Sequence, residues 1–259
     1  MSDSTRQHAE RIVEQFTRQA APFAAHPAHT DAAAMAILHQ VAGWRPTDTV
    51  LDVACGPGLV ACAVAPHVAR VTGLDVTPAM LAQARQRQAD LGLTNLTWQV
   101  GDGQTLPFPD RAFTRCVCRY AFHHLLEPAA VFQEMVRVTV PGGRVLVIDV
   151  VPAPEKRAAY DRIEKWRDPS HTRALTLPEL MAMGRSLGLA DPVVHTYGLE
   201  TDLAELVAAS FPDPADRERL WAAFRADAAN GADTHGFAIR ANGDRFTIRF
   251  PVALAAWAI

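Results

Sequence analysis

The stretch that most constrains this chain is Thr49-Val50-Leu51-Asp52-Val53-Ala54-Cys55-Gly56-Pro57-Gly58. Its apolar, β-branched first half reads as a buried strand, and the small residues at 54, 56 and 58 leave backbone that a ligand can approach closely. A run with helical pattern, Val60 to Ala65, follows. Strand, small-residue turn and helix in that order make the first unit of a parallel α/β sheet with a nucleotide-type loop. Gly56-x-Gly58-x-x-Ala61 also satisfies the literal dinucleotide fingerprint, a weak string that several cofactor classes share.

The rest of the chain continues the alternation. Strands are predicted at Thr49 to Ala54, Val71 to Asp75, Leu96 to Val100, Cys116 to Tyr120 and Arg144 to Val151, with helices at Val60 to Ala65, Pro78 to Leu91 and Pro128 to Val138 between them. Gly142-Gly143 reads as the close of the last helix. This order predicts an α/β fold: a parallel sheet covered by helices on both faces. Two helices precede it. One runs from Ser4 to about Ala21, ended by Pro22 and Pro27; the other runs from Asp31, a plausible cap, to Val41. Beyond Val151 come a charged helical stretch, helices at Leu177 to Leu187, Asp202 to Ala209 and Asp216 to Ala229, and a strand at Val193 to Tyr197. Phe237 to Arg240, a turn at Asn242-Gly243 and the apolar run Phe246 to Ile259 are expected to add antiparallel strands to the sheet edge.

Composition excludes several roles. With 49% apolar and 20% charged residues the 259-residue chain is globular, and its length suits one α/β unit, 1–259. We divide it into a helical lid at 1–45, a cofactor-binding core at 46–151, and a cap with terminal strands at 152–259. A net charge of −3 provides no basic field for a nucleic acid. The polar N-terminus leads into no signal core, and no run of about 18 apolar residues suggests a membrane span. A cytoplasmic location is expected. Cys55, Cys62, Cys116 and Cys118 lack paired CxxC spacing, so they read as buried thiols; neither a metal site nor a disulfide framework is expected.

Charge separates the cofactor classes. A dinucleotide brings an anionic pyrophosphate to the helix after the loop, where Asp52 would be a poor neighbour. A cofactor with an ammonium and a sulfonium would favour that carboxylate. Asp75, ending the second strand, can accept both ribose hydroxyls, a role that fits either cofactor. Asp102, after the third strand, can read an adenine amino group. An NAD-dependent oxidoreductase remains the second reading.

Val50 to Gly58, Gly73-Leu74-Asp75, Gly101-Asp102, Leu106-Pro107-Phe108 and Pro141-Gly142-Gly143-Arg144 together resemble the class I methyltransferases, in particular the ubiquinone/menaquinone biosynthesis C-methyltransferase group. The likeness covers roughly Val50 to Val151. It implies a Rossmann-like, mostly parallel sheet of seven strands with S-adenosylmethionine as cofactor. It further implies that Asp52, Ala54, Gly56 and Gly58 form the methionine-side loop, that Asp75 binds the ribose, and that Asp102 with Gly103 forms the adenine edge. Val76 and Met80 would flank the adenosine, and the backbone of Arg119 would meet the methionine moiety. The helix around Glu14-Gln15-Phe16 resembles a mobile N-terminal lid. Two departures stand out: Ala54 replaces the first glycine of the commonest loop, and Thr114 stands where an aspartate often does.

Methyl transfer needs alignment above all, and a base only when the acceptor must lose a proton. His123 and His124, after strand four, lie at the carboxyl edge where such sheets bind ligands. His171 falls in the irregular Asp168-Pro169-Ser170-His171-Thr172-Arg173 segment. His124 and His171 are the catalytic candidates, against the alternative of structural imidazoles bonded to carbonyls. Arg173 suits an acidic substrate or an ordinary surface ion pair, Tyr120 a pocket wall or a core aromatic, and Cys116 and Cys118 the core. The expected partner is a small, apolar or aromatic acceptor methylated at carbon or oxygen, with no nucleic acid or membrane and with a monomer or homodimer as the assembly. A cofactor-binding module without methyl transfer is the third reading.

Overall fold

A computed structural model describes residues 3–26, 30–243 and 245–259. The sheet contains β1 (Thr49–Val53), β2 (Arg70–Asp75), β3 (Leu96–Val100), β4 (Phe113–Arg119), β5 (Thr139–Val150), β6 (Val193–Asp202), β7 (Arg240–Asn242) and β8 (Arg245–Ala258). Its main path has seven strands in the order β3-β2-β1-β4-β5-β8-β6, and the short β7 pairs with the start of β8. β1 to β5 are mutually parallel; β8 runs antiparallel to both β5 and β6.

Nine helices are described: α1 (Asp3–Ala25), α2 (Ala32–Ala42), α3 (Leu59–Val64), α4 (Pro78–Asp90), α5 (Pro128–Arg137), α6 (Arg157–Arg167), α7 (Leu177–Ser186), α8 (Leu203–Ser210) and α9 (Pro214–Asn230). The caps agree with the sequence. Asp31 accepts the Ala34 N–H at 2.7 Å to start α2, and Thr176 with Glu179 forms a reciprocal capping box at α7.

Because side chains alternate across a strand, neighbouring apolar residues feed two cores. Val50, Val117, Leu146, Ile148 and Leu254 pack with α2 and α3 on one face, through Leu38, Val41, Val60 and Val64. Leu51, Cys116, Cys118, Val145, Val147 and Trp257 pack with α5 and α7 on the other, through Val131, Phe132, Met135, Leu180 and Met183. Continuous apolar strands are thus explained by burial on both sides.

Three local expectations need correction. Pro22 does not end α1, which continues to Ala25; Pro27 lies outside the described residues. Pro22 removes one bond, from its own nitrogen to the Arg18 carbonyl, and sits in the last turn, so the helix loses that bond without a long stretch beyond it to disrupt. Gly142-Gly143 lies within β5 instead of closing α5, where Gly142 N–H donates to the Ile259 carbonyl at 2.6 Å. The terminal apolar run does not sit at the sheet edge. β8 inserts between β5 and β6, which explains why Val252 to Trp257 are all buried.

At Gly184 in α7 a Cβ would run into the indole of the fully buried Trp257. Alanine would gain about 1 kcal/mol of helix propensity, but overpacking a core that cannot yield typically costs about 1–3 kcal/mol. We expect Gly184→Ala to lower the urea midpoint, and an unchanged or higher midpoint would show that this helix–sheet contact is not tightly packed.

Candidate functional site

The chain runs from β1 outward to β2 and β3 and then crosses back to β4 on the other side of β1, so the strand order reverses at β1 and a crevice opens at the carboxyl ends there. A cavity fills it. Asp52, Ala54, Gly56, Asp75, Val76, Met80, Asp102, Gly103, Arg119 and His124 all line it, together with His8, Ile12, Phe16 and Phe23 of α1.

Two buried carboxylates organise its floor. Asp52 Oδ2 accepts the Ala61 N–H, in the first turn of α3, at 3.0 Å. Burial pushes the Asp52 carboxyl up to about 7, with that hydrogen bond and Arg119 opposing the shift. Asp75 uses one oxygen on the Gly56 N–H and the other on the Thr77 N–H, both at 2.8 Å. Burial raises its pKa as well, against the pull of these two N–H donors. Each oxygen keeps a second lone-pair direction for a ligand hydroxyl.

The loop glycines differ in purpose. Gly56, at φ +52°, faces open space. Gly58 does not line the cavity: a Cβ there would stand 2.7 Å from the Trp98 ring and 3.0 Å from Ala84, so its bareness serves packing of loop against helix and sheet. Ala54 adopts φ +53°, a left-handed conformation costing an alanine about 1 kcal/mol or more, which is the physical content of its departure from glycine.

Asp102 lines the cavity while its Oδ1 accepts the Gln104 N–H at 2.9 Å, shaping the turn beside Gly103. Arg119 ends β4 with its guanidinium 4.5 Å from the Tyr120 ring centroid and Nη1 3.0 Å from Met35 Sδ. Cys116 and Cys118 are fully buried, and burial raises both thiols well above their ordinary range, as expected of core residues.

A second, smaller cavity adjoins the first and shares Phe16, Phe23, Tyr120 and His124 with it. Beyond them its walls are Gln19 and His26, His123, residues of α6 and α8, and Leu199 and Phe250 of β6 and β8. His123 and His124 lie in one 3-10 turn, Phe122–His124, with ring centroids 4.1 Å apart. Their environments separate them. His123 Nδ1 lies 2.5 Å from Asp149 Oδ1; burial opposes its charge, but this carboxylate outweighs burial and raises the pKa. His124 is held well below its usual range by burial, then by His123.

His171 does not face either cavity. Its side chain is completely buried, with Nε2 2.8 Å from Asp161 Oδ1, in a layer behind the histidine pair. Arg173 pairs with Glu179 at 3.1 Å and is half exposed, the ordinary surface use. Reasoning on the sequence missed Asp149, although a lone carboxylate inside the buried run Val145 to Val151 signals a site. It also missed Gln19, Asp168 and Ser170, whose significance arises only when α1 and the 168–173 segment meet.

An open α/β sheet with its crevice at the strand-order reversal and carboxylates at the ends of β1 and β2 is the arrangement in which such sheets hold nucleotide-type ligands. The family described as methyltransferase domain matches residues 51–147. The uncharacterized methyltransferase YcgJ of Bacillus subtilis (strain 168) is 32% identical over 188 residues, 71% of this chain and 74% of that protein. The crystal structure of YcgJ matches with a TM-score of 0.80 at 25% identity, covering 88% of this chain and 98% of that one. The ubiquinone/menaquinone biosynthesis C-methyltransferase UbiE of Desulfotalea psychrophila (strain LSv54 / DSM 12343) is 35% identical over 117 residues, 44% of this chain and 46% of its own length. This chain therefore spans less than half of that relative. The chain belongs to the class I S-adenosylmethionine-dependent methyltransferases.

Because Ala54 holds a left-handed conformation, Ala54→Gly is expected to be neutral or stabilising by about 0.5–1 kcal/mol despite glycine's larger unfolded-state entropy. A fall in thermal midpoint of several degrees would mean that the Ala54 methyl is needed in the core.

Proposed function

We propose that this protein transfers a methyl group from S-adenosylmethionine to carbon or oxygen of a small, apolar or aromatic acceptor. The observation that carries this reading is the use of the loop's N–H groups. The Ala61 N–H near the start of α3 is already taken by Asp52, and the Gly56 N–H by Asp75. In a dinucleotide site, N–H groups of this kind would face a pyrophosphate. A loop that answers them with its own carboxylates presents negative charge instead, which opposes NAD and favours a cofactor bearing an ammonium and a sulfonium.

In this reading Asp75 receives the ribose hydroxyls, Val76 and Met80 flank the adenosine, and Asp102 with Gly103 meets the adenine edge. Asp52, Ala54, Gly56 and the Arg119 backbone surround the methionine end, and Gly58 supports the loop from behind. The bound cofactor supplies an electrophilic methyl carbon on a sulfonium. The chain's own residues supply alignment and exclude water. Phe16 and Phe23 of α1 stand over both cavities, consistent with a lid that opens for exchange. The apolar walls of the second cavity, Val150, Leu199, Leu206 and Phe250, suit an apolar acceptor. The quinone-methylating relatives are compatible with that acceptor class.

Calorimetric titration is the first test: S-adenosylhomocysteine should bind and NAD should not, and the reverse would sink the proposal. Asp75→Ala should weaken binding by about 1.5–3 kcal/mol, the usual worth of hydrogen bonds to a charged group, in a folded protein. An unchanged dissociation constant would remove Asp75 from the ribose.

Asp52 supplies a pH prediction. Its carboxyl titrates near 7 when the site is free, because burial disfavours the anion. A cationic ligand favours the anion and lowers that pKa, so binding at or just below pH 7 displaces a proton. Affinity for S-adenosylmethionine should rise with pH up to about 7. Calorimetry in buffers of different ionisation enthalpy should show more proton release for the wild type than for Asp52→Asn; equal release would exclude Asp52 as the partner of the cationic end.

A further inference from the structure

Beside the second cavity, the hydrogen bonds around His124 form a directed chain. Ser170 has one hydroxyl proton, and it is donated to Asp168 Oδ1 at 2.5 Å. Asp168 can only accept here: Oδ1 also takes the Ser170 N–H at 2.9 Å, and Oδ2 takes Gln19 Nε2 at 3.1 Å. With its proton committed, Ser170 Oγ can meet His124 Nδ1, 3.0 Å away, only as an acceptor. Nδ1 must therefore carry hydrogen. Apart from Ser170 the His124 side chain has no hydrogen-bond partner among the described residues, and the residue borders both cavities, so with hydrogen on Nδ1 a neutral ring keeps its lone pair on Nε2.

We propose that Asp168 and Ser170 hold His124 as the tautomer whose Nε2 takes a proton from the acceptor, so that the acceptor carries an acidic O–H, or a C–H acidified by an adjoining aromatic or carbonyl system. This deepens the methyl-transfer reading and rests on it. His124 is the catalytic residue; Ser170 and Asp168 are positioning residues.

The environment supports the role. Burial opposes the charge of Asp168, while Arg167 and the Ser170 hydroxyl and N–H pull its carboxyl down, so the chain's terminal acceptor stays ionised. Burial, then His123, hold the His124 imidazole below its usual range against the opposing pull of Asp168, so the ring is neutral, the form that can accept a proton. The Phe16 ring lies edge-on to the His124 ring at 5.0 Å, and His8 Nε2 lies 2.7 Å from the His124 carbonyl, so α1 buttresses this residue directly. Adjacent groups driven to opposite protonation preferences, as His123 and His124 are, mark acid–base chemistry.

The step balances. The acceptor's oxygen or carbon forms its bond to the methyl carbon while its proton passes to His124 Nε2. The carbon–sulfur bond breaks, and its electron pair stays on sulfur as a neutral thioether. The imidazolium then returns its proton to solvent. A base of this kind typically contributes about 10²–10⁴-fold in rate.

Nitrogen-15 long-range NMR on the full chain at neutral pH, with the His124 signals assigned by their absence in His124→Gln, reads the tautomer directly. The wild type should show Nδ1 protonated and Nε2 bare. Ser170→Ala should shift the population toward Nε2–H, the form an imidazole favours in water. A wild-type His124 in the Nε2–H form, or a tautomer indifferent to Ser170→Ala, would overturn the proposal, and the wild-type spectrum decides even if that variant does not fold. In turnover, His124→Gln should cut kcat by about 10²-fold or more with S-adenosylhomocysteine affinity unchanged. Ser170→Ala should lower kcat more than it alters the acceptor KM. Wild-type turnover by His124→Gln, or methylation of a tertiary amine or thioether, would also overturn it. Absence of S-adenosylhomocysteine binding to the wild type would instead overturn the methyl-transfer reading beneath it.

Discussion

The site depends on two buried carboxylates taking up the backbone of the loop after β1. Asp52 anchors the first turn of α3 through Ala61, and Asp75 reaches across from β2 to the Gly56 N–H. Such bonds are strong because the acceptor is charged, yet burial makes that charge expensive, as the raised pKa values of both groups record. A positively charged ligand relieves that cost. The same interactions therefore shape the loop by occupying the Gly56 and Ala61 N–H groups, and in the proposed reading they favour a cation there over a phosphate. The close packing of Gly58 against Trp98 and Ala84 completes the support from the far side.

The next layer outward repeats this logic with histidines. Asp149 draws charge onto His123, while the Asp168–Ser170 pair orders His124 without protonating it. Two chemically identical side chains, adjacent in one turn, acquire different properties from the carboxylates behind them. Those carboxylates come from β5 and from the segment after α6, so the difference exists only in the folded chain. The Glu164–Arg167 pair, bidentate and buried beside the second cavity, fixes that wall and neutralises its own charges.

The fold was legible because each strand of the core is an apolar run between turn residues, and the order of strands and helices admits few topologies. The placement of β8 was not. Its alternation shows only that it is buried, and whether it lies at an edge or between β5 and β6 depends on pairings some 50 to 110 residues apart in sequence. That Asp52, Asp75 and Asp102 line the cavity follows from each standing at or just after the end of a strand at the carboxyl edge. Gly58 was misread because a bare Cα serves close packing and close ligand approach equally well, and sequence cannot tell which neighbour arrives. His171 was misread for the corresponding reason: its segment crosses the site, but its ring turns to Asp161 and away from the cavities.

The limit of that legibility has a structural cause. The family match ends at residue 147, having covered the loops of the first cavity. Apart from Tyr120, His123 and His124, the second cavity takes its walls from Phe16, Gln19, Phe23 and His26 on one side of that range and from Val150, Glu164, Arg167, Asp168, Leu199, Leu206, Ala209, Ser210 and Phe250 on the other. A cofactor shared by a family constrains the loops that hold it, while acceptors differ and leave the remaining elements free to diverge. Tyr120, at φ +57° and with its hydroxyl 3.1 Å from that of Tyr197, stands at the junction: it ends the matched core and bonds to an element outside it. In the proposed reading, acceptor identity is therefore written in the contacts that α1, α6, α8 and the β6–β8 pair make with the core, while the matched region supplies the loops of the first cavity.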